Sequence, residues 1–162
     1  MAYNRYKTFI VDGTYTKVPS IEIPTSNSDF YVYYDAGKTP STNNTVVSVT
    51  IPSDVLEVQK YAFYNCTALE KVNFLVNDKG DSCKIIREFA FAKASALTDI
   101  NLENINMVGN NAFEETISLE TIYLPESLIK INDYAFLNSG LVGTINIPLN
   151  VGKYNVTAVN PI

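Results

Sequence analysis

Few of the 162 residues have side chains suited to covalent or acid/base chemistry, and their spacing argues against a catalytic constellation. Histidine is absent, which removes the commonest acid/base at neutral pH and the commonest metal ligand, so no imidazole-dependent triad or zinc site can be built. The two cysteines, Cys66 and Cys83, are too few for a disulfide framework or a cysteine-only metal cage, and they read as reduced packing or surface residues. Glu114 and Glu115 are adjacent carboxylates, but they read as a solvated pair on an exposed turn, with no cleft across which a second carboxylate would serve glycoside hydrolysis. Asn77, Asp78 and Asp81 resemble a calcium loop only superficially, because the alternating oxygen ligands and the closing bidentate Glu are missing. No glycine spacing matches a phosphate-binding loop. The expectation is therefore no catalytic residue, no metal and no cofactor.

What the sequence offers instead is a surface, and the elements that build it are repeats. Ala-Phe recurs at Ala62-Phe63, Ala90-Phe91, Ala112-Phe113 and Ala135-Phe136, with spacings of 28, 22 and 23 residues. Behind each Phe follow a small residue (Cys66, Ala94, Thr116, Ser139), an aliphatic one (Leu69, Leu97, Leu119, Val142) and an alternating pair. Those pairs are Val72/Phe74, Ile100/Leu102, Ile122/Leu124 and Ile145/Ile147, and their period predicts one half-buried strand per repeat. Ahead of each Phe stand Val58, Ile86, Val108 and Ile131, with Val55, Ile105 and Leu128 three residues earlier in three of the four repeats. The Ala-Phe segments read as helical or 3₁₀ turns on the convex side. One such unit cannot bury its own strand and Phe, so the units must stack and pile their rings into a continuous column.

Val76–Cys83, rich in Asn, Asp and Gly, lengthens the first spacing and reads as a turn bulging from the stack. Val46, Val49 and Ile51 fit an incomplete opening unit. Ile147-Pro-Leu-Asn-Val151 and Ala158-Val159 match Ile51-Pro-Ser-Asp-Val55 and Ala62-Phe63, which predicts a degenerate half-repeat capping the far end.

Alternation along the strands sends two columns outward. One holds Ser48, Lys71, Asp99, Thr121 and Thr144; the next holds Thr50, Asn73, Asn101, Tyr123 and Asn146. From Lys71 and Asn73 onward these residues are the candidate partner-binding face, able to hydrogen-bond sugar hydroxyls or a partner's backbone, with Tyr123 as the rigid aromatic anchor. Solubility and strand propensity account for the same residue types, so the pattern leaves both readings open.

Ile51 to Phe74 resembles the BspA-type leucine-rich repeat almost position by position, and the resemblance spans about residues 46–159. It implies an α/β repeat fold, a short leucine-rich-repeat solenoid of four full repeats plus capping half-repeats, with a parallel sheet on the concave side. Members are typically adhesion or interaction surfaces, found in bacterial surface proteins, protozoan proteins and phage virions.

Residues 1–38 lack the repeat and hold eight of the nineteen aromatics: Tyr3, Tyr6, Phe9, Tyr15, Phe30, Tyr31, Tyr33 and Tyr34. Thr8–Val11 and Phe30–Tyr34 read as strands, and residues 39–45 as a linker before the solenoid at 46–159. A piece this short cannot sustain its own core, so its tyrosines are candidates for docking, on this solenoid or on another protein. The run from Arg5-Tyr-Lys through Asp29-Phe-Tyr-Val-Tyr-Tyr-Asp35 to Gly37-Lys-Thr39 resembles the N-terminal segment of small tail and baseplate proteins of tailed bacteriophages. That resemblance implies a docking segment in a virion, present in multiple copies among other tail or baseplate proteins, with the solenoid displayed from it. The alternative is an adhesin at a bacterial or protozoan cell surface that binds a host protein or glycan.

Composition narrows the partners. Twelve basic against seventeen acidic residues give a net charge of -5 and a pI of about 4.7, which offers no general attraction to nucleic acid or anionic lipid. The mean hydropathy is +0.01, and no apolar run approaches the roughly 18 residues of a membrane span. The polar and charged start of the chain, with no apolar run before Pro19, reads as lacking a secretory leader, so the Asn-x-Thr sequences at Asn43, Asn65 and Asn155 carry no weight alone.

Overall fold

Alternating residues in the repeat become short parallel strands, as their period requires. The computed structural model of the chain describes residues 21–22, 46–53 and 55–152. Its strands are β1 (Ile21–Glu22), β2 (Ser48–Ile51), β3 (Glu57–Val58), β4 (Lys71–Phe74), β5 (Ile85–Ile86), β6 (Asp99–Ile100), β7 (Met107–Val108) and β8 (Lys130–Ile131). They form two four-stranded sheets, β1-β2-β4-β6 and β3-β5-β7-β8. All neighbours run parallel, because every coil of the chain returns to the same side before it crosses again.

The first sheet is the one anticipated, with Val49 opposite Val72 and Val72 opposite Ile100 on its buried face. Its strands stop at β6. The matching segments at 121–124 and 144–147 run beside it without strand pairing, although Val142 still donates its N–H to the Glu120 carbonyl at 3.1 Å. The second sheet was not anticipated. Each of its strands has two residues and a single buried position (Val58, Ile86, Val108, Ile131), so no alternation is long enough to be seen.

The Ala-Phe segments differ from expectation in a more instructive way, since no helix occurs among the described residues. A helix spends its N–H groups internally. Here the N–H groups of Tyr61, Phe63 and Asn65 donate to the carbonyls of Glu88, Ala90 and Ala92 on the next coil, at 3.1, 2.7 and 2.8 Å. Phe89, Phe91 and Lys93 repeat the pattern toward Asn110, Ala112 and Glu114, and Asn111, Phe113 and Glu115 toward Asp133, Ala135 and Leu137. The N–H groups in between close tight local turns, such as Ala62 to Gln59 and Tyr64 to Tyr61. Two residues on either side of each Phe carry the left-handed conformation this needs: Tyr61 and Asn65, Phe89 and Lys93, Asn111 and Glu115, Tyr134 and Asn138. Left-handed backbone costs an L-residue roughly 1–2 kcal/mol. The inter-coil bonds and the burial of the turn offset that cost.

The core is a set of columns parallel to the stack. Phe63, Phe91, Phe113 and Phe136 lie face to face, with ring centroids 5.2, 5.4 and 5.2 Å apart and planes within 10°. Beside them run Leu69, Leu97 and Leu119, then Val58, Ile86, Val108 and Ile131, all buried. Cys83 is fully buried as well, eight residues before Phe91. It takes the place that Val55, Ile105 and Leu128 hold in the other repeats and so belongs to the core, and the exposed bulge ends before it. Two glycines permit the close approach of coils. A Cβ at Gly109 would stand 2.6 Å from the Arg87 carbonyl carbon, and one at Gly140 would stand 2.1 Å from the Ile117 oxygen.

Candidate interaction face

Parallel pairing fixes the outward residues of the first sheet in rows. Ser48, Lys71 and Asp99 stand in one row, and Thr50 and Asn73 in the next. Lys71 and Asp99 form an ion pair, Nζ to Oδ2 at 2.5 Å, with both side chains about half exposed. Such a pair contributes about 0–1 kcal/mol, but it cancels the charge at the centre of the face. The neighbouring outward residues in its two columns are neutral: Asn73 is half-buried, while Asn101, Thr121, Thr144 and Asn146 are exposed. The Asn101 side-chain oxygen accepts the N–H of Glu103 at 2.9 Å, which orients its amide.

Tyr123 is 67% exposed and stands with Asn101 at an open depression that also takes in Glu103, Pro125, Glu126 and Ser127. Ser127 holds the floor of this depression by donating toward the carbonyls of Glu103 and Ile105, at 3.0 and 3.2 Å. A large exposed ring is suited to stacking on a ligand, and the flanking groups to hydrogen bonding. The structure thus brings Asn101 and Tyr123 together. Thr144 and Asn146 lie one coil further on, in a segment that, like that of Tyr123, has no strand pairing.

A second surface escaped the sequence reading. On the turn ladder Tyr61 stacks on Phe89 at 5.0 Å and meets Tyr64 edge-on at 5.5 Å, with the Lys60 ammonium 5.3 Å from the Tyr61 ring and that of Lys93 5.8 Å from the Tyr64 ring. Hydrogen bonding with Tyr64, and then the nearby Glu115 and Glu114, hold the Lys93 pKa above its ordinary value. The signal was available in the residues two before each Phe, namely Tyr61, Phe89, Asn111 and Tyr134, three of them aromatic.

The residues weighed for chemistry have structural occupations. Cys66 and Cys83 are free and buried. Burial pushes the Cys83 thiol up to about 11, so it is protonated at neutral pH, and its Sγ donates to the Ile85 carbonyl at 3.5 Å. Asn77 organises the exposed bulge: its side-chain oxygen accepts the N–H groups of Lys79 and Asp81, and its amide donates to the Asp81 carboxylate at 2.8 Å. Glu114 lends its carbonyl to Lys93, and Glu115 is one of the left-handed residues. Among the described residues no group of three His, Cys, Asp or Glu stands close enough to hold a metal ion, and no helix is long and apolar enough to cross a membrane.

The aromatic docking candidates Tyr3, Tyr6, Phe9, Tyr15, Phe30, Tyr31, Tyr33 and Tyr34, with the strands expected at 8–11 and 30–34, lie outside the described residues. One point of the N-terminal segment is within them. β1 pairs with β2, Ile21 opposite Val49 and Glu22 opposite Thr50. Ile21-Glu22-Ile23-Pro24 has the same pattern as Val49-Thr50-Ile51-Pro52, a strand signature the sequence reading passed over.

Comparison with known proteins agrees with this geometry. A model described as a BspA type leucine rich repeat region matches residues 41–158 with six copies. A leucine-rich repeat protein from Bacteroides ovatus is 26% identical at a TM-score of 0.55, over 65% of this chain and 28% of its own. The leucine rich repeat protein TpLRR of T. pallidum is 22% identical at a TM-score of 0.63, over 86% of this chain and 65% of its own. The chain thus spans only part of either structure's length. No curated protein sequence matches the chain.

Proposed function

From a chain that belongs to the BspA-type leucine-rich repeat family, we propose a non-catalytic binding module displayed at a cell surface, which holds a host protein or glycan on the outward face of its first sheet. The observation that carries this reading is the pairing of an exposed Tyr123 with an oriented Asn101 beside rows of neutral amides and hydroxyls. Lys71 and Asp99 neutralise each other, and the depression adds the carboxylates of Glu103 and Glu126, so the face suits uncharged, donor-rich ligands recognised by hydrogen bonds and stacking, such as sugars or peptide backbone. The purified chain should be retained on an array of glycans and extracellular host proteins. Retention should fall at least tenfold in the double variant Asn101→Ala/Tyr123→Ala, with an unchanged melting curve. Unchanged retention by that variant would remove the face from the proposal.

A tail or baseplate role, with the N-terminal aromatics as the docking element, has the residues 3–39 resemblance in its favour. Co-purification with phage particles at a fixed copy number would support it. In a version beginning at Thr45, a folded solenoid that no longer incorporates would assign the docking to that segment.

A further inference from the structure

Two residues before each Phe of the core, the turn ladder carries a second column: Tyr61, Phe89, Asn111 and Tyr134. All four share one left-handed conformation, with φ between 54 and 61°, so their Cβ atoms leave the ladder alike on successive coils. The first two rings stack, 5.0 Å apart and within 11° of parallel. The third place holds an amide instead of a ring, and Tyr134, 44% exposed, has no ring neighbour among the described residues. The core rings of these coils follow one another at 5.4 and 5.2 Å, which sets Phe89 and Tyr134 about 10 Å apart across Asn111. One ring is thus missing from the column, and a ring inserted there would have an aromatic neighbour at stacking distance on each side.

The floor and side of this place are polar. The Asn111 side-chain amide makes no hydrogen bond among the described residues. Glu114 stands beside Asn111 as Tyr64 stands beside Tyr61, because its N–H closes the same turn, onto the Asn111 carbonyl at 3.1 Å. Its carboxylate accepts no hydrogen bond among the described residues either. Aromatic groups above and below, with an unengaged amide and carboxylate between them, make a site of two apolar walls and a hydrogen-bonding floor.

We propose that this place on the turn ladder binds one pyranose ring of a neutral sugar, its C–H faces against Phe89 and Tyr134 and its hydroxyls bonded to the Asn111 amide and the Glu114 carboxylate. A hydrocarbon ring from a partner protein would stack equally well, but it would shut the amide and the carboxylate from water without giving them partners. An anionic ring would meet the like charge of Glu114. A pyranose satisfies both the walls and the floor. The site lies apart from Asn101 and Tyr123 on the first sheet, so the two can be tested separately.

Chemical-shift titration of the isotope-labelled full chain with glucose, galactose, mannose and N-acetylglucosamine tests this, read at the Asn111 side-chain amide and the Tyr134 ring. At least one of these sugars should shift both signals saturably. Tyr134→Ala should weaken the response at Asn111 by about tenfold or more, since one of two stacking walls is lost. Asn111→Tyr, which restores the missing ring at a φ that Tyr61 and Tyr134 already adopt, should abolish the response at Tyr134. If Asn111→Tyr fails to fold, Tyr134→Ala decides alone. No saturable shift with any of the sugars, or an undiminished one in Tyr134→Ala, overturns the proposal. So does a response to p-cresol but not to the sugars, which would give the place to a partner's aromatic side chain. Loss of the sugar response in Asn101→Ala/Tyr123→Ala would move the sugar to the first sheet and equally overturn it.

Discussion

Removing the ring of Phe113 is the sharpest perturbation of the aromatic column. Phe113 is fully buried and stacked on both sides, 5.4 Å from Phe91 and 5.2 Å from Phe136, whereas Phe63 has one ring neighbour among the described residues. Truncating a buried Phe to Ala costs about 3–5 kcal/mol, and an aromatic pair is worth about 0.5–1.5 kcal/mol beyond its area. Phe113→Ala should therefore fall at the upper end, about 4–5 kcal/mol, and Phe63→Ala about 1 kcal/mol lower because it forfeits one stack rather than two. Domains of this kind have only about 5–15 kcal/mol in hand, so the Phe113 variant should be close to unfolding at 37 °C. Urea titration followed by far-ultraviolet circular dichroism and tyrosine fluorescence measures both, since the chain has no tryptophan. If Phe113→Ala costs no more than Phe63→Ala, the column contributes as separate residues and the stacking argument fails.

The glycine contacts predict a contrast. Gly109→Ala should cost about 1–3 kcal/mol by pushing a methyl into the Arg87 backbone, while Gly80→Asn, at φ +81 with open space around it, should stay within about 0.5 kcal/mol in the same titration. Cys83 predicts a pH effect. Its thiol is raised from about 9 to about 11 by burial, so its contribution is complete below the unfolded value and is lost as pH rises through the folded one. The stability gap between the wild-type chain and Cys83→Ala should accordingly narrow between pH 9 and pH 11. A gap that stays constant across that window would show that the thiol is not held in its neutral form by burial.

Much of this architecture was readable from spacing, because the columns of Phe, Leu and Val recur at the same repeat positions and are buried there, except in the fourth repeat, where Val142 and Ile147 are 65% and 49% exposed. What stayed hidden has physical causes. A strand of two residues such as Ile85–Ile86 shows one buried position and no period. Left-handed backbone is betrayed by Asn at 65, 111 and 138, but Tyr61, Phe89, Lys93, Glu115 and Tyr134 give no such hint, since neighbouring coils impose the conformation. The turn therefore read as helical or 3₁₀ from its irregular apolar spacing. Cys83 looked like part of a polar bulge because a thiol is an uncommon replacement for Val or Ile in a column. The outward columns were legible as positions, yet only the fold shows that Lys71 and Asp99 cancel and that Asn101 and Tyr123 share one depression.

The turn ladder has an electrostatic consequence. In an ordinary sheet, successive peptide units point alternately toward the two neighbours, and their dipoles largely cancel. Along this ladder Tyr61, Phe63 and Asn65, then Phe89, Phe91 and Lys93, then Asn111, Phe113 and Glu115 all donate in one direction, toward the later coil. Their dipoles add, as they do along a helix axis, with the positive pole at the C-terminal end of the stack. Each further coil would lengthen that array, so a solenoid of this type carries a built-in polarity along its length that does not depend on its charged side chains.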